Sequence, residues 1–221
     1  MHETVVSVEG CCEHRHPAER GTVTLTVGFD GPDREAVVRR TTGEHAWLAE
    51  VAQQLHAPPS GAVSSWSSGR VRVWAERPWN TDGRQLPLVH HAAADLTMTF
   101  RDLELLERWV EDAAVRDGVT VQGVEWDLAH ETRTRLTADA QVRAVQDAAA
   151  KASVYARSLG LTAVRPLAVA DPGLLGDGAR PPVEPLFAAR SMVAPDAGGG
   201  LDLRPDEIVV SVRVHARFAA T

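Results

Sequence analysis

Cys12, His14 and His16 are spaced two residues apart. In an extended chain that spacing puts all three side chains on one face, with Cys11 on the other. A thiolate and two imidazoles supply three corners of a tetrahedral zinc site, and the soft sulfur suits copper equally. No fourth ligand stands near them in the sequence, and the spacing is not the two-plus-two pattern of common zinc modules. The competing reading is a polar connection that carries histidines incidentally. Cys11 and Cys12 are the only cysteines in 221 residues. As neighbours they could close only a strained vicinal bridge, so reduced thiols are expected.

Other candidate nucleophiles and bases are less organised. His90 and His91 precede a strand and alternate onto opposite faces. Ser64, Ser65, Ser67 and Ser68 are available, but none sits in a Gly-x-Ser-x-Gly elbow. A catalytic role would also need an orienting acid close in space. Glu44 and His45 are expected on the solvated side of a helix. Gly198 to Gly200 form a linker rather than a phosphate loop, since no strand precedes them and no Lys-Ser/Thr follows. No catalytic residue and no cofactor is assigned, and the chain is expected not to be an enzyme.

Six tryptophans are many for this length. Trp47, Trp109 and Trp126 fit a core. Trp66, Trp74 and Trp79 are interleaved with Arg70, Arg72, Arg77 and Arg84. Aromatics among arginines are typical of protein interfaces and of single-strand nucleic-acid platforms. A formal net charge of −7 disfavours the second, and also an anionic membrane surface. Trp66, Arg70, Arg72, Trp74 and Trp79 are therefore expected to form a self-association surface, and the chain to be a homo-oligomer. No small-molecule ligand is specified.

Elements must position these residues. No apolar run reaches the roughly 20 residues of a spanning helix. The opening MHETVVSVEG lacks the basic and apolar regions of a secretory signal, so a cytoplasmic location is expected. Strands are expected at Thr4 to Gly10 and Thr22 to Phe29, joined by Cys11 to Arg20. A helix starts at the Asp30–Asp33 signal and runs to about Leu55, with Val37, Leu48, Val51 and Leu55 inward. An extended stretch over Val63 to Ala75 leads to a turn or hairpin tip at Arg77 to Pro87. A strand at Ala94 to Phe100, a helix at Asp102 to Asp117 and a strand at Val119 to Leu128 follow, with Gly123 as a bulge. A long helix then carries Ala138, Val142, Val145, Ala149, Ala152, Ala156 and Leu159 at alternating steps of four and three, one apolar stripe. Gly160 ends it. A strand over Leu161 to Val169 comes next, then a Pro/Gly-rich loop at about 171–205. In the final strand Val210, Val212, Val214, Ala216 and Phe218 alternate with polar residues. The expected fold is α+β, mixed α/β in order, with antiparallel-containing sheets covered by three main helices, in a single domain over 1–221.

These segments, in this order, resemble the SIMPL domain family, also called DUF541. VVSVEG followed by TVTLTVGF is similar to the family's opening pair of strands. LTMTF running into RDLELLERWVEDAAVRDGVTVQGVEWDL looks like its central strand–helix–strand. AVQDAAAKASVYARSLGL matches its most recognisable helix, with Lys151 and Gly160 in place, and EIVVSVRVHARF its closing strand. Two departures stand out: Pro17-Ala18 replaces the usual Pro-Asp, and Cys12 replaces the second glycine of Gly-x-Gly. The resemblance implies a SIMPL-like fold. Members are described as exported immunogens, as bacterial proteins linked to oxidative stress and as a signalling adaptor, and some form ring-like homo-oligomers. The resemblance thus implies an interaction or scaffold role, a link to envelope or stress physiology, and no catalytic residue set. The alternative is a metal- or redox-responsive binding protein using Cys11, Cys12, His14 and His16.

Overall fold

The structure is a computed structural model that describes residues 3–57, 59–79, 85–175 and 203–221. In chain order its elements are β1 (Thr4–Pro17), β2 (Arg20–Gly31), α1 (Arg34–Leu55), β3 (Val63–Ser68), β4 (Arg72–Glu76), β5 (Val89–Phe100), α2 (Leu103–Ala114), β6 (Val119–Asp127), α3 (His130–Ser158), β7 (Val164–Ala170) and β8 (Glu207–Ala220). The α+β class and the three helices follow the sequence expectation. All strand pairs are antiparallel, and they form two sheets. The chain divides into two compact units.

The unit built on Ala18–Asp127 holds a five-stranded sheet. β5 lies between β2 and an edge formed by β3 and β4, and β2 lies between β5 and β6. β3 pairs with the C-terminal half of β5 and β4 with its N-terminal half, so β3 and β4 follow one another along a single edge. Counting that edge as one strand, the order of elements is β-α-β-β-α-β. Each helix connects two parallel strands that are separated by a third, the split crossover of ferredoxin-like folds. The alternation of β2 explains the layering. Val23, Leu25 and Val27 are fully buried, while Thr22, Thr24 and Thr26 lie on the opposite, half-buried face. Leu96, Met98 and Phe100 of β5 continue the buried face, and Phe100 meets Trp109 of α2 at 5.5 Å between ring centroids. Burying each such side chain contributes about 1.5–3 kcal/mol. Both helices start where the sequence signals it. The Asp33 carboxylate accepts from the Glu35 and Ala36 amides, and that of Asp102 accepts from the Leu105 amide.

The expectations for β6 and α1 have different outcomes. The bulge is present: Thr24 pairs with Gly123 and Leu25 with Val121, which leaves Gln122 as the extra residue. The inner face of α1, however, is Val37, Thr41, His45, Leu48 and Ala52. His45 is buried rather than solvated. It is tolerated there because its ring nitrogen finds a backbone carbonyl, as described below.

The other described unit contains β1, α3, β7 and β8. Its sheet has the order β1-β8-β7. β1 runs through Cys11–His16, which had been expected as a connection, and pairs with β8 from Thr4↔Ala220 to Pro17↔Glu207. The alternating valines of β8 are buried, and Val212 and Val214 face α3 together with Val6. The stripe of α3 is rotated from the expected one. Leu136, Ala140, Ala144, Ala148, Ala152 and Ala156 are buried, at strict steps of four. Val142, Val145 and Leu159 are exposed. The cause lies in β1. A Cβ on Gly10 would stand 2.0 Å from the Ala144 carbonyl oxygen and 2.7 Å from the Ala148 nitrogen. The helix backbone rests directly on the strand, so the contact line takes only alanine, and the larger valines turn outward. Gly160 closes the helix with φ +76°, a conformation that costs a side-chain-bearing residue more. The Pro/Gly-rich stretch at about 171–205 falls mostly outside the described residues, as do tip residues 80–84.

Candidate functional site

The even-numbered residues of β1 point toward α3, and this places Cys12 and His14 against the helix. Cys12 Sγ is 4.0 Å from His14 Nε2. The same Nε2 is 2.8 Å from Asp139 Oδ2, which Arg143 Nε also meets at 3.0 Å. A relay of the Cys–His–Asp kind uses the two ring nitrogens separately, one for the thiol and one for the acid. Here one nitrogen meets both, so the group ties β1 to α3 instead of moving a proton. His16 does not join them. Its Nδ1 is 2.8 Å from the Pro17 carbonyl oxygen. Of the three expected metal ligands, two stand together. Among the described residues no group of three or more His, Cys, Asp and Glu side chains is arranged to hold a metal ion.

Cys11 occupies a different setting. It is exposed. Its backbone N–H donates to Asp147 Oδ2 at 2.9 Å, and its Sγ is 3.9 Å from Lys151 Nζ. Lys151 pairs with Asp147 at 2.7 Å and donates to the Glu9 carbonyl oxygen at 3.0 Å. Residues 9 and 11 share parity, so their peptide groups point to the same side of β1, the one away from β8. Among the described residues no strand pairs on that side. One helical turn of α3 thus satisfies an N–H and a C=O that an open edge would leave free. The Lys151 ammonium holds the Asp147 carboxyl below the usual carboxylate range, with the Cys11 N–H adding to the effect. Asp147 in turn raises the Lys151 ammonium. The lysine that marked the family helix in the sequence therefore has a structural task.

In the five-stranded unit a pair forms that no local spacing announces. Ser68 Oγ is 3.3 Å from His45 Nε2, which is also 3.3 Å from the Asp95 carbonyl oxygen. A carbonyl only accepts, so Nε2 carries the proton and donates it to Asp95. It therefore has no lone pair with which to take a proton from Ser68. This too is a structural link, from α1 to β5. Ser64 Oγ donates to the Thr99 carbonyl oxygen. The expected core tryptophans separate: Trp109 and Trp126 are buried, whereas Trp47 is exposed under a cation–π contact with Arg116, 3.5 Å from its centroid.

The tryptophan–arginine group divides by register. Cross-strand partners share a sheet face. Arg72 pairs with Ala93 and Trp74 with His91. Trp66 pairs with Met98, whose side chain is fully buried on the helix-covered face. Trp66 and Trp74 therefore lie on opposite faces, because the break at 69–71 changes the alternation. Arg70 lies in that break and is exposed. Arg72 reaches Asp95 at 3.1 Å. Trp74 is 46% exposed and stacks on His91 with centroids 5.2 Å apart and planes at 12°. His91 Nε2 is 3.5 Å from Glu76 Oε1. Trp79, three residues past β4, is 85% exposed. Arg77 donates to the Leu86 carbonyl oxygen at 2.9 Å. On the other unit, His215 Nε2 is 3.3 Å from Glu9 Oε2, its cross-strand partner.

A ferredoxin-like body, a second three-stranded α/β unit and histidines engaged in structural bonds define an α+β protein whose described polar clusters hold the fold together. The chain belongs to the SIMPL family: the family model, described as a protein of unknown function (DUF541), matches residues 6–218. No curated protein matches the sequence. No helix among the described residues is long and apolar enough to cross a membrane.

Proposed function

We propose that this chain is a non-enzymatic interaction protein that associates with itself through the exposed aromatic edge of β4 and the segment just after it. One observation carries the reading. Trp74 and Trp79 are 46% and 85% exposed, beside a strand edge that has no partner strand among the described residues. Tryptophan is the side chain with most to gain from burial in an interface, and an unpaired strand edge is a template for another chain. The engagement of His14 and His45 in structural bonds supports the non-enzymatic part. Native mass spectrometry tests the reading: the wild type forms a discrete oligomer, and Trp74→Ala with Trp79→Ala shifts it toward monomer. A monomeric wild type, or an oligomer indifferent to both substitutions, overturns it.

A second reading, a thiol-responsive protein, is favoured by the exposure of Cys11 beside the Lys151 ammonium. Cys12 lies on the opposite face of β1, so the two thiols answer to different partners. Oxidation by peroxide that changes the mass at Cys11 and the oligomeric state together would favour it.

A further inference from the structure

We infer that the partner on the β4 edge is a second copy of this chain, paired antiparallel with β4 across a twofold axis at Trp74, so that Arg72 of each copy faces Glu76 of the other. The inference rests on the self-association reading above and specifies its register. β4 has the sequence Arg-Val-Trp-Ala-Glu. A twofold axis normal to a continuous sheet requires one residue to face itself. With Trp74 at the axis, Val73 faces Ala75 and Arg72 faces Glu76, and every residue of β4 is paired with a residue of β4. Opposite charges then meet at both ends of the ladder, and like charges nowhere within it.

The neighbouring symmetric registers are poorer. With Ala75 at the axis, Arg72 faces Pro78, which has no N–H to give the ladder, and Glu76 faces Trp74. With Val73 at the axis, Glu76 runs past the end of β4 to face Arg70, and Arg72 faces Trp74. Both charged side chains are more than half exposed, 60% for Arg72 and 65% for Glu76, while Arg72 also meets Asp95 and Glu76 also meets His91 within the same copy. Trp74, already held flat by the stack on His91, gives up little rotamer freedom when it packs against its own image.

Paired charge reversal tests the register. Arg72→Glu alone and Glu76→Arg alone each set like charges opposite one another at both ends and weaken the dimer by about tenfold or more. Mixing the two variants restores it. In the mixed dimer each carboxylate at position 72 or 76 of one copy faces a guanidinium of the other. Restoration on mixing supports the register, and weak association of each variant with no rescue overturns it. Dimerisation unaffected by either reversal, in a protein that Trp74→Ala does dissociate, also overturns the register but leaves the self-association reading standing. A wild type that is monomeric removes both.

Because Arg72 also holds Asp95, its reversal can unfold the sheet. Crosslinking avoids this. In a Cys11→Ser, Cys12→Ser background, diamide takes up the two protons and two electrons of a thiol pair. A mixture of Val73→Cys and Ala75→Cys then forms a disulfide dimer, and neither variant does so alone. Equal crosslinking of each variant alone and of the mixture overturns the register.

Discussion

The position of a Cβ on Gly10 lies 2.0 Å from the carbonyl oxygen of Ala144. Both atoms belong to backbone or to its first substituent, so no side chain can turn aside to make room. Gly10→Ala must lift α3 from β1 along the whole alanine line. Overpacking of this kind costs about 1–3 kcal/mol and more where backbone must move. Urea unfolding at neutral pH reads the change, and a loss below about 0.5 kcal/mol would show the contact to be softer than described.

The rotated stripe makes a paired prediction. Val142→Lys, at an exposed site, changes stability by no more than about 0.5 kcal/mol. Ala144→Lys, one turn face away and fully buried, abolishes folding of that unit, because the ammonium has neither room nor partner. Far-ultraviolet circular dichroism with thermal melting distinguishes them. The stripe expected from sequence gives the reverse order at position 142.

The Asp147–Lys151 clamp sets a pH window for the β1 edge. Asp147 has its folded pKa depressed. Its stabilisation is present above the unfolded carboxyl value of about 3.9 and is lost as pH falls through the lower folded value. Lys151 is raised. Its stabilisation is complete below about 10.4 and is lost as pH rises through the higher folded value. Protection of the Cys11 amide from hydrogen exchange should therefore be flat between these limits and fall outside them. Asp147→Asn and Lys151→Met should lower that protection within the window. A Cys11 amide exchanging equally fast in wild type and both variants would remove the clamp.

The two thiols should differ in rate. Cys11 is exposed, whereas Cys12 packs against the buried cluster beneath α3. Titration with a disulfide reagent should show one fast and one slow thiol, with Cys11→Ser removing the fast phase. Loss of the fast phase in Cys12→Ser instead would contradict the placement.

Arg116 joins two neighbours, through an ion pair with Glu44 and a cation–π contact with Trp47. Arg116→Met keeps the aliphatic length but loses both, at a cost of about 1–2 kcal/mol. Denaturant unfolding gives the stability change, and Trp47 fluorescence should move with it. A change in neither would leave the two contacts without weight.

How much of this could be read from sequence depends on the range of the interaction that decides each feature. Strands with clean alternation, such as β2 and β8, and helices with Asp caps, such as α1 and α2, declare themselves within a few residues. The stripe of α3 does not. Alanines occupy several of its faces, so valine spacing pointed to the wrong one, and the deciding contact is with Gly10 in a distant strand. His45 has the same history: its burial depends on a carbonyl of β5. Trp66 and Trp74 were joined by proximity in sequence, and a short break between β3 and β4 put them on opposite faces. Cys12 and His14 were rightly placed on one face, but Asp139, which meets His14, lies on α3 and no local spacing could supply it.

The pairing of β1 with β8 bears on how the chain acquires its structure. Ala18–Asp127 is a single run of sequence, and its two ends meet where the Glu19 N–H donates to the Asp127 carbonyl oxygen at 2.9 Å. Every strand partner in that run is available as soon as β6 has been made. β1, by contrast, has no sheet partner until β8 emerges near the far end of the described chain. During synthesis the strand bearing the two thiols waits in the open while the ferredoxin-like body completes itself, since contacts between distant segments form late and slowly. The middle of the sequence thus assembles first, and the β1-β8-β7 sheet closes last on a helix that already lies between its strands in sequence.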